Sequence, residues 1–180
     1  MSKRPPSDAS TRFERGLEHA LILLGASIIA AGFVLPWLSW ESPLFLGDLV
    51  GLPSSQSVEG FRIPRFAREV DRSWLLFLTG HFQGGETPDP AWAYLVWVSP
   101  ALALLGLGVG WGFRAPLLLR GAASAQFAIA LFMSLRLAQG LEEAGAWGVE
   151  VRPSEGLWAS ALGHVALGLS LLNAAYCRNR

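Results

Sequence analysis

The sequence contains a single cysteine, Cys177, in 180 residues. One cysteine excludes an intrachain disulfide, so no loop outside a membrane is stapled in this way. An excess of either charge is also missing, because 14 basic residues balance 14 acidic ones. A nucleic-acid partner requires a basic surface, and no such partner is expected here. The fold is therefore expected to rest on the packing of its helices.

The motifs of soluble enzymes are missing as well. The chain has no Gly-x-Ser-x-Gly, His-Glu-x-x-His, Cys-x-x-Cys or Walker A sequence, and each of these carries a known catalytic geometry. His81, Glu86 and Asp89 are scattered metal-ligand types in one loop, which is a poor match to a metal site. No catalytic residue and no metal site are predicted, and the protein is expected not to be an enzyme.

Long apolar runs dominate what is present, and apolar residues make up 52% of the chain. Four runs approach the roughly 20 residues that a helix needs to cross about 30 Å of hydrocarbon. They are Leu17 to Leu38, Trp92 to Phe113, Ala115 to Leu135 and Gly156 to Tyr176. Because the runs lack the period-2 alternation of barrel strands, they are predicted to be helices. The fold class is thus all-α: one membrane domain over residues 1–180, built as a four-transmembrane-helix bundle.

Tryptophan and charge indicate how the bundle lies in the membrane. Six of the eight tryptophans fall at or beyond a predicted helix end, as an aromatic belt requires; they are Trp37, Trp40, Trp92, Trp111, Trp147 and Trp158. Basic residues are denser around the two termini and the turn at Arg114 than in the other segments. The positive-inside rule then predicts cytoplasmic N- and C-termini for a multi-pass protein of the cell inner membrane.

The segment 41–91 is predicted to be a large outer loop. Within it, apolar and charged residues recur on opposite sides of a helical period. The apolar positions are Ile63, Phe66, Ala67, Val70, Trp74, Phe77 and Leu78, and the charged ones are Arg65, Arg68, Glu69 and Arg72. The pattern predicts an amphipathic helix that either lies on the outer leaflet or packs against the bundle.

His164 is the first candidate site residue, because it lies well inside the fourth helix between Gly163 and Gly168. An ionisable residue at this depth usually faces the bundle interior. Imidazole can be the axial ligand of a haem-type or chlorophyll-type tetrapyrrole, and small neighbours would admit the macrocycle. No second histidine lies at a matching depth, so a hydrogen bond to Gln126 or Ser124 on a neighbouring helix is the favoured interpretation. No cofactor is predicted, and a tetrapyrrole at His164 is the alternative.

Further polar candidates inside the predicted spans are Arg120, Gln126 and Asn173. Arg120 is close enough to the cytoplasmic end of the third helix for its side chain to reach the interface. Asn173 lies at a similar depth and is a predicted hydrogen-bond partner of Arg120. Since the interiors of the spans contain no Asp or Glu, these residues are expected to serve packing rather than a proton pathway.

Glycine alternates through the second helix at Gly106, Gly108, Gly110 and Gly112. This gives two overlapping Gly-x-x-x-Gly spacings, and small residues allow helix backbones to approach closely. The neighbouring helices are thinned by Gly25, Gly32, Gly121 and Ala125. These residues are predicted to be helix-packing positions, and the sequence leaves open whether the contact is within the bundle or with another subunit.

Two short motifs carry a resemblance. The first span ends in Leu35-Pro36-Trp37, the second is rich in glycine, and the last begins with Gly156-Leu157-Trp158. In this layout the chain resembles small bacterial four-helix integral membrane proteins of unassigned function. A four-helix protein with a large first outer loop also resembles the claudins in outline. The claudin Gly-Leu-Trp motif and paired cysteines are missing from this loop, so no claudin function is carried over.

Three functions compete. The favoured one is a non-enzymatic accessory or assembly subunit of a larger membrane complex, whose partners are the lipid bilayer and other membrane protein subunits. The alternative is a binding protein that holds a tetrapyrrole or another hydrophobic ligand through His164. Transport of a small solute is third, because intramembrane acids and a broken helix pair are both missing.

Overall fold

The computed structural model describes residues 8–41, 55–65, 68, 90–113, 115–146 and 150–178. The fold is the predicted four-transmembrane-helix bundle. Its helices are α1 (Asp8–Val34), α2 (Val98–Gly112), α3 (Pro116–Ala146) and α4 (Glu155–Cys177). Within these described residues, four segments are long and apolar enough to cross a membrane: Phe13–Val34, Ala93–Gly112, Pro116–Leu135 and Glu155–Cys177.

The helix ends differ from the apolar runs where local chemistry intervenes. Helix α1 ends at Val34, short of the predicted Leu38, because Pro36 has no amide hydrogen and disfavours a helical conformation at the residue before it. A 3-10 helix, Pro90–Trp97, leads into α2. Helix α3 continues to Ala146, well beyond Leu135, where the third apolar run ends.

A small antiparallel sheet, which the sequence analysis did not predict, caps one end of the bundle. Its strands are β1 (Pro36–Glu41), β2 (Ser55–Glu59) and β3 (Glu150–Pro153), in the order β2-β1-β3. Strand β1 follows α1 almost directly, and β3 ends just before α4 begins. The sheet therefore joins the exit of α1 to the entry of α4.

The two ends of the bundle are distinct. The sheet end holds β1, β2 and β3. The opposite end holds the start of α1, the end of α4 and the short turn between α2 and α3. There the Arg178 guanidinium reaches the backbone oxygen of Phe113 at 2.7 Å. We call this second end the termini end.

Only a short part of the predicted outer loop is described. Residues 63–65 are helical and follow a 3-10 turn, Gly60–Arg62. Arg68 Nε donates to Pro64 O at 3.3 Å, and the Arg68 guanidinium lies 5.7 Å from the centre of the Tyr94 ring. These contacts join the segment to the 3-10 helix before α2. The remainder of the predicted amphipathic helix lies outside the described residues.

Two apolar clusters make up the core. The larger one joins all four helices and includes Ile22, Ala103, Leu119, Leu167 and Leu171, all buried. The second, at the sheet end, contains Phe33, Trp37, Ile129, Met133 and Leu157. Helix α4 packs extensively against α1 and α3, whereas α2 has the least extensive packing of the four.

Trp37 belongs to the core and not to the predicted aromatic belt. Its side chain is only 6% exposed, and its ring meets Phe33 edge to face at 6.0 Å. Trp37 Nε1 donates to Gly32 O at 2.9 Å, which satisfies a carbonyl near the end of α1. The belt prediction for Trp37 is therefore wrong. Trp111 and Trp158 are each about half exposed, as belt residues should be.

The two short sequence motifs meet at the sheet end. A Cβ added to Gly156 would lie 2.6 Å from the backbone oxygens of both Leu35 and Pro36, so only glycine fits there without a shift. Leu157 packs in the same cluster as Trp37. The backbone amide of Ser154 also donates to Trp37 O at 2.9 Å. The exit of α1 and the entry of α4 therefore form one packed joint.

Candidate functional site

A polar cluster at the centre of the bundle contains the first candidate residue, His164. The His164 side chain on α4 is fully buried, and Ser99 on α2 and Gln126 on α3 are each 1% exposed. His164 Nε2 lies 2.8 Å from Ser99 Oγ, and His164 Nδ1 lies 2.5 Å from Gln126 Oε1. Three helices are thus joined through one imidazole. We call these three residues the His164 cluster.

The carbonyl of Leu102 determines which atoms donate in the His164 cluster. A backbone oxygen only accepts, so the Gln126 amide nitrogen must be the atom that faces Leu102 O, at 2.7 Å. Gln126 Oε1 then faces His164, and Nδ1 must carry the hydrogen that it accepts. In a neutral ring Nε2 is left as an acceptor for the Ser99 hydroxyl. Every polar atom of the ring has a partner in this arrangement.

This geometry bears on the tetrapyrrole alternative. An axial ligand offers one ring nitrogen to the metal, and its other nitrogen is commonly oriented by a hydrogen bond. Here both nitrogens of His164 are already hydrogen bonded. A metal at Nε2 would have to displace Ser99, and a metal at Nδ1 would have to displace Gln126. The arrangement is that of interhelical hydrogen bonds that hold α2, α3 and α4 together.

Two of the four alternating glycines pack inside the bundle. A Cβ on Gly106 would lie 2.8 Å from Gln126 Nε2, and one on Gly110 would lie 2.8 Å from Ile22 Cδ1. Gly106 therefore admits the amide that orients His164, and Gly110 admits α1. The His164 cluster therefore depends on the close helix packing that the glycine spacing allows.

The other two alternating glycines face outward. A Cβ added at Gly108 or Gly112 meets no described atom within 4 Å, and the same holds for Gly121 on α3. Leu104, Leu105 and Trp111 are 69%, 62% and 54% exposed. Residues 104, 105, 108, 111 and 112 follow the spacing of one helix face. We call this stripe the outer face of α2.

Arg120 and Asn173 do not pair with each other. Both side chains are exposed, and the described residues show no hydrogen bond between them. Asn173 Oδ1 instead accepts a long contact of 3.9 Å from Cys177 Sγ. The predicted pairing of Arg120 with Asn173 is therefore not observed in the described structure.

Sequence analysis missed two contributions. Ser99 lies beside Pro100 at the start of α2, at a depth similar to that of His164, and matching depths across helices could have identified it. An ion pair between Glu18 and Arg178 was missed because each lies near the edge of a span. Arg178 Nη2 is 3.4 Å from Glu18 Oε2 and 3.2 Å from Gly110 O. The guanidinium thereby joins α1, α2 and α4 at the termini end.

Comparison with protein-family models, with curated proteins and with solved structures gives no match to this chain. Within the described part of the chain, no three His, Cys, Asp or Glu residues come together as a metal site would require. His81, Glu86 and Asp89 lie outside that part. The function must therefore be argued from the His164 cluster, the outer face of α2 and the termini end.

Proposed function

We propose that this protein is a non-enzymatic accessory or assembly subunit of a larger membrane complex, and that it docks through the outer face of α2. The observation that carries the proposal is the outward position of Gly108 and Gly112, where an added Cβ meets no described atom within 4 Å. These two glycines complete a Gly-x-x-x-Gly spacing that the bundle itself does not use.

Lipid physics explains why such a face suits a protein partner. Helix association in a bilayer depends on van der Waals packing, and paired small residues let two backbones approach closely. Lipid chains do not gain comparable van der Waals packing against these glycines. Exposed Leu104 and Trp111 beside the glycines supply apolar area for the contact. Helix α2 also packs least within the bundle, and the residues of its outer face are exposed.

The His164 cluster supports a non-enzymatic role. Ser99, Gln126 and His164 are buried and bonded to one another or to a backbone oxygen. A catalytic or transport site needs polar groups that face a substrate and still have a hydrogen-bond donor or acceptor to offer it. The His164 cluster instead uses its hydrogen-bonding groups to hold three helices together.

The test is native purification in a mild detergent with quantitative mass spectrometry of what accompanies the protein. The wild type is expected to carry a defined membrane protein in a fixed ratio. In the double variant Gly108→Leu/Gly112→Leu, the bulky side chains should lower that ratio by about tenfold, equal to a loss of about 1.4 kcal/mol. Leucine also has the higher helix propensity, so the bundle should persist.

The matched control is Ala128→Leu, which adds similar bulk at an exposed position of α3. This variant should retain the partner in the wild-type ratio. Recovery of the wild type only as a free monomer would contradict the proposal. An equal loss of the partner in Ala128→Leu would contradict the assignment of the docking face.

The alternative is a tetrapyrrole or another hydrophobic ligand held by His164. It has less support because the ligand must break one of the two hydrogen bonds of the ring. An absorption spectrum of protein expressed with ample haem precursor tests it. A Soret band that disappears in His164→Leu would favour the ligand, and a colourless wild type would exclude a haem.

The proposal includes an orientation. We place the termini end on the cytoplasmic side of a bacterial inner membrane, because basic residues are concentrated in the short segments at that end of the bundle. The partner would then contact α2 within the bilayer, between the sheet outside and the charged termini inside.

A further inference from the structure

A cavity of about 610 Å³ opens at the termini end between α1, α2 and α4. Its lining includes Glu14, Arg15, Glu18, His19, Trp111 and Arg178. Ligand cavities commonly have volumes of roughly 300–1,000 Å³, so the space is large enough for a small polar group with part of an acyl chain. The cavity lies far from the His164 cluster, and of the outer face of α2 it includes only Trp111.

Glu18 is the unusual residue of this cavity. Its side chain is only 8% exposed, and Oε2 is paired with Arg178 at 3.4 Å. The other oxygen, Oε1, is buried and has no hydrogen-bond donor among the described residues. A buried acceptor without a donor is costly, and more so when it belongs to a charged group. The cavity therefore suits a ligand that brings its own N–H or O–H donor.

Arg178 does not donate to Glu18 Oε1, because its guanidinium is directed at other acceptors. Its Nη1 donates to Phe113 O at 2.7 Å, and its Nη2 lies within 3.4 Å of both Gly110 O and Glu18 Oε2. These carbonyls end helix α2, where a positive charge is favourable. The guanidinium is thus held in place as part of the wall of the cavity.

The lining carries both signs of charge. Glu14 and Glu18 are acidic, and Arg15 is basic, exposed, and free of ion pairs within the described part of the chain. Trp111 and His19 stack with their ring centres 5.4 Å apart. A tryptophan face attracts cations, and a guanidinium binds phosphate oxygens. A ligand that combines an ammonium with a phosphate would match both sets of groups.

We propose that this cavity binds the phosphoethanolamine headgroup of a membrane lipid. The primary ammonium donates to Glu18 Oε1 beside Trp111, and the phosphate lies against Arg15. A primary ammonium has three donors, whereas a quaternary choline has none. The site therefore distinguishes two zwitterionic headgroups of equal charge. The cavity opens near the start of the apolar segment Phe13–Val34, which is the level at which lipid headgroups lie.

The test is native mass spectrometry of the full chain, released from nanodiscs that contain equal amounts of phosphatidylethanolamine and phosphatidylcholine with identical acyl chains. The wild type should retain phosphatidylethanolamine about tenfold more often, the ratio that one charged hydrogen bond can supply. In a separate experiment, soluble glycerophosphoethanolamine competes with the lipid. It tests whether the site binds the headgroup alone or needs the whole lipid. Competition at millimolar concentration would show that the headgroup alone is sufficient, and no competition would show that the acyl chains are also needed. Either result supports the proposal when the lipid preference is present, and the proposal is overturned when the preference is absent.

Two variants separate recognition from folding. Glu18→Gln removes the carboxylate and should abolish the preference, but it also removes the partner of Arg178. Arg15→Gln leaves the Glu18–Arg178 pair intact and should weaken retention of both zwitterionic lipids. The control Glu155→Gln changes an exposed acid at the sheet end and should behave as the wild type. Equal retention of the two lipids by the wild type, or a full preference in folded Glu18→Gln, would overturn the proposal.

Discussion

Single polar residues in the core stabilise the bundle through hydrogen bonds between particular pairs of atoms. Gln126 illustrates this, because its amide donates to Leu102 O and accepts from His164. Neither bond alone would fix the histidine. Together they set the ring tautomer and leave Nε2 for Ser99. A residue with one acceptor and one donor in a fixed plane is therefore required at position 126.

Replacing Gln126 with leucine tests this requirement. The variant leaves the His164 Nδ1 hydrogen without its acceptor in an apolar interior. The free energy of unfolding should fall by about 1–2 kcal/mol, since interhelical hydrogen bonds in membranes are of this size. Unfolding in SDS, followed by circular dichroism, measures the change. Ser124→Ala, on the exposed side of α3, is the control and should leave stability unchanged.

Gly106 and Gly108 form a matched pair only two residues apart. A methyl group at Gly106 would lie 2.8 Å from Gln126 Nε2, whereas one at Gly108 meets no described atom within 4 Å. Gly106→Ala should lower the free energy of unfolding by about 1–3 kcal/mol, the usual cost of overpacking. Gly108→Ala should be neutral or slightly stabilising, because alanine has the higher helix propensity. Similar losses in both variants would contradict the assignment of inward and outward glycines.

Among the helices, α1, α2 and α4 are joined at the termini end by the charged side chain of Arg178. Arg178 bonds two carbonyls at the end of α2 and pairs with Glu18 of α1. Its side chain is 20% exposed, so solvent screens it only in part. The end of α4 thereby fixes both neighbouring helices.

Arg178→Met should therefore loosen the termini end. Loss of the guanidinium leaves the buried Glu18 carboxylate uncompensated, and breaking a buried pair costs about 3 kcal/mol or more. The free energy of unfolding reports the loss, and hydrogen exchange should increase at the ends of α1 and α2. Arg62→Met breaks an exposed pair with Glu59 and should have little effect, because surface pairs contribute little. A silent Arg178→Met variant would show that the pair does not stabilise the bundle.

The elements also show which parts of the fold could be predicted from sequence. Membrane helices were predictable because each needs a long apolar run that is visible within one segment. The sheet was not, because strands of four to six residues pair across the chain, as Leu38 does with Pro153. Trp37 was misplaced for the same reason, since the pairing of β1 folds it back onto α1. Short strands leave too little local pattern to overcome a strong helical signal.

The candidate site was partly predictable. Gln126 was one of two predicted hydrogen-bond partners of His164, the other being Ser124, because these residues are polar at similar depths in apolar helices. Ser99 was not identified, since a hydroxyl beside Pro100 resembles an ordinary helix start. The roles of the four glycines in α2 could not be divided from sequence, because alternation places them on different faces and only packing shows which faces are covered.

For the whole molecule, the lone cysteine gives a direct test of orientation. Cys177 is exposed at the termini end, which we place in the cytoplasm. A membrane-impermeant maleimide should therefore label it only after spheroplasts are permeabilised. A second probe, Ser57→Cys in a Cys177→Ser background, lies exposed in the sheet and should react in intact spheroplasts. The opposite pattern at both positions would invert the orientation without changing the fold.

The whole molecule also presents unequal faces to the bilayer. Leu162 and Leu169 on α4 are 65% and 57% exposed but are not flanked by outward glycines. They are bulky lipid-facing positions of an ordinary kind. The outer face of α2 combines similar leucines with Gly108 and Gly112. We assign protein contact to the outer face of α2 and lipid contact to the face of α4 that carries Leu162 and Leu169.

Site-specific photo-cross-linking in native membranes tests this assignment most directly. A benzoylphenylalanine probe at Leu104 or Leu105 on α2 should give one adduct of defined mass, and the same adduct should vanish in the Gly108→Leu/Gly112→Leu background. Probes at Leu162 and Leu169 on α4 should give no protein adduct. Protein adducts from both helices at equal yield, or none from α2, would contradict the proposed role as a subunit that docks through α2.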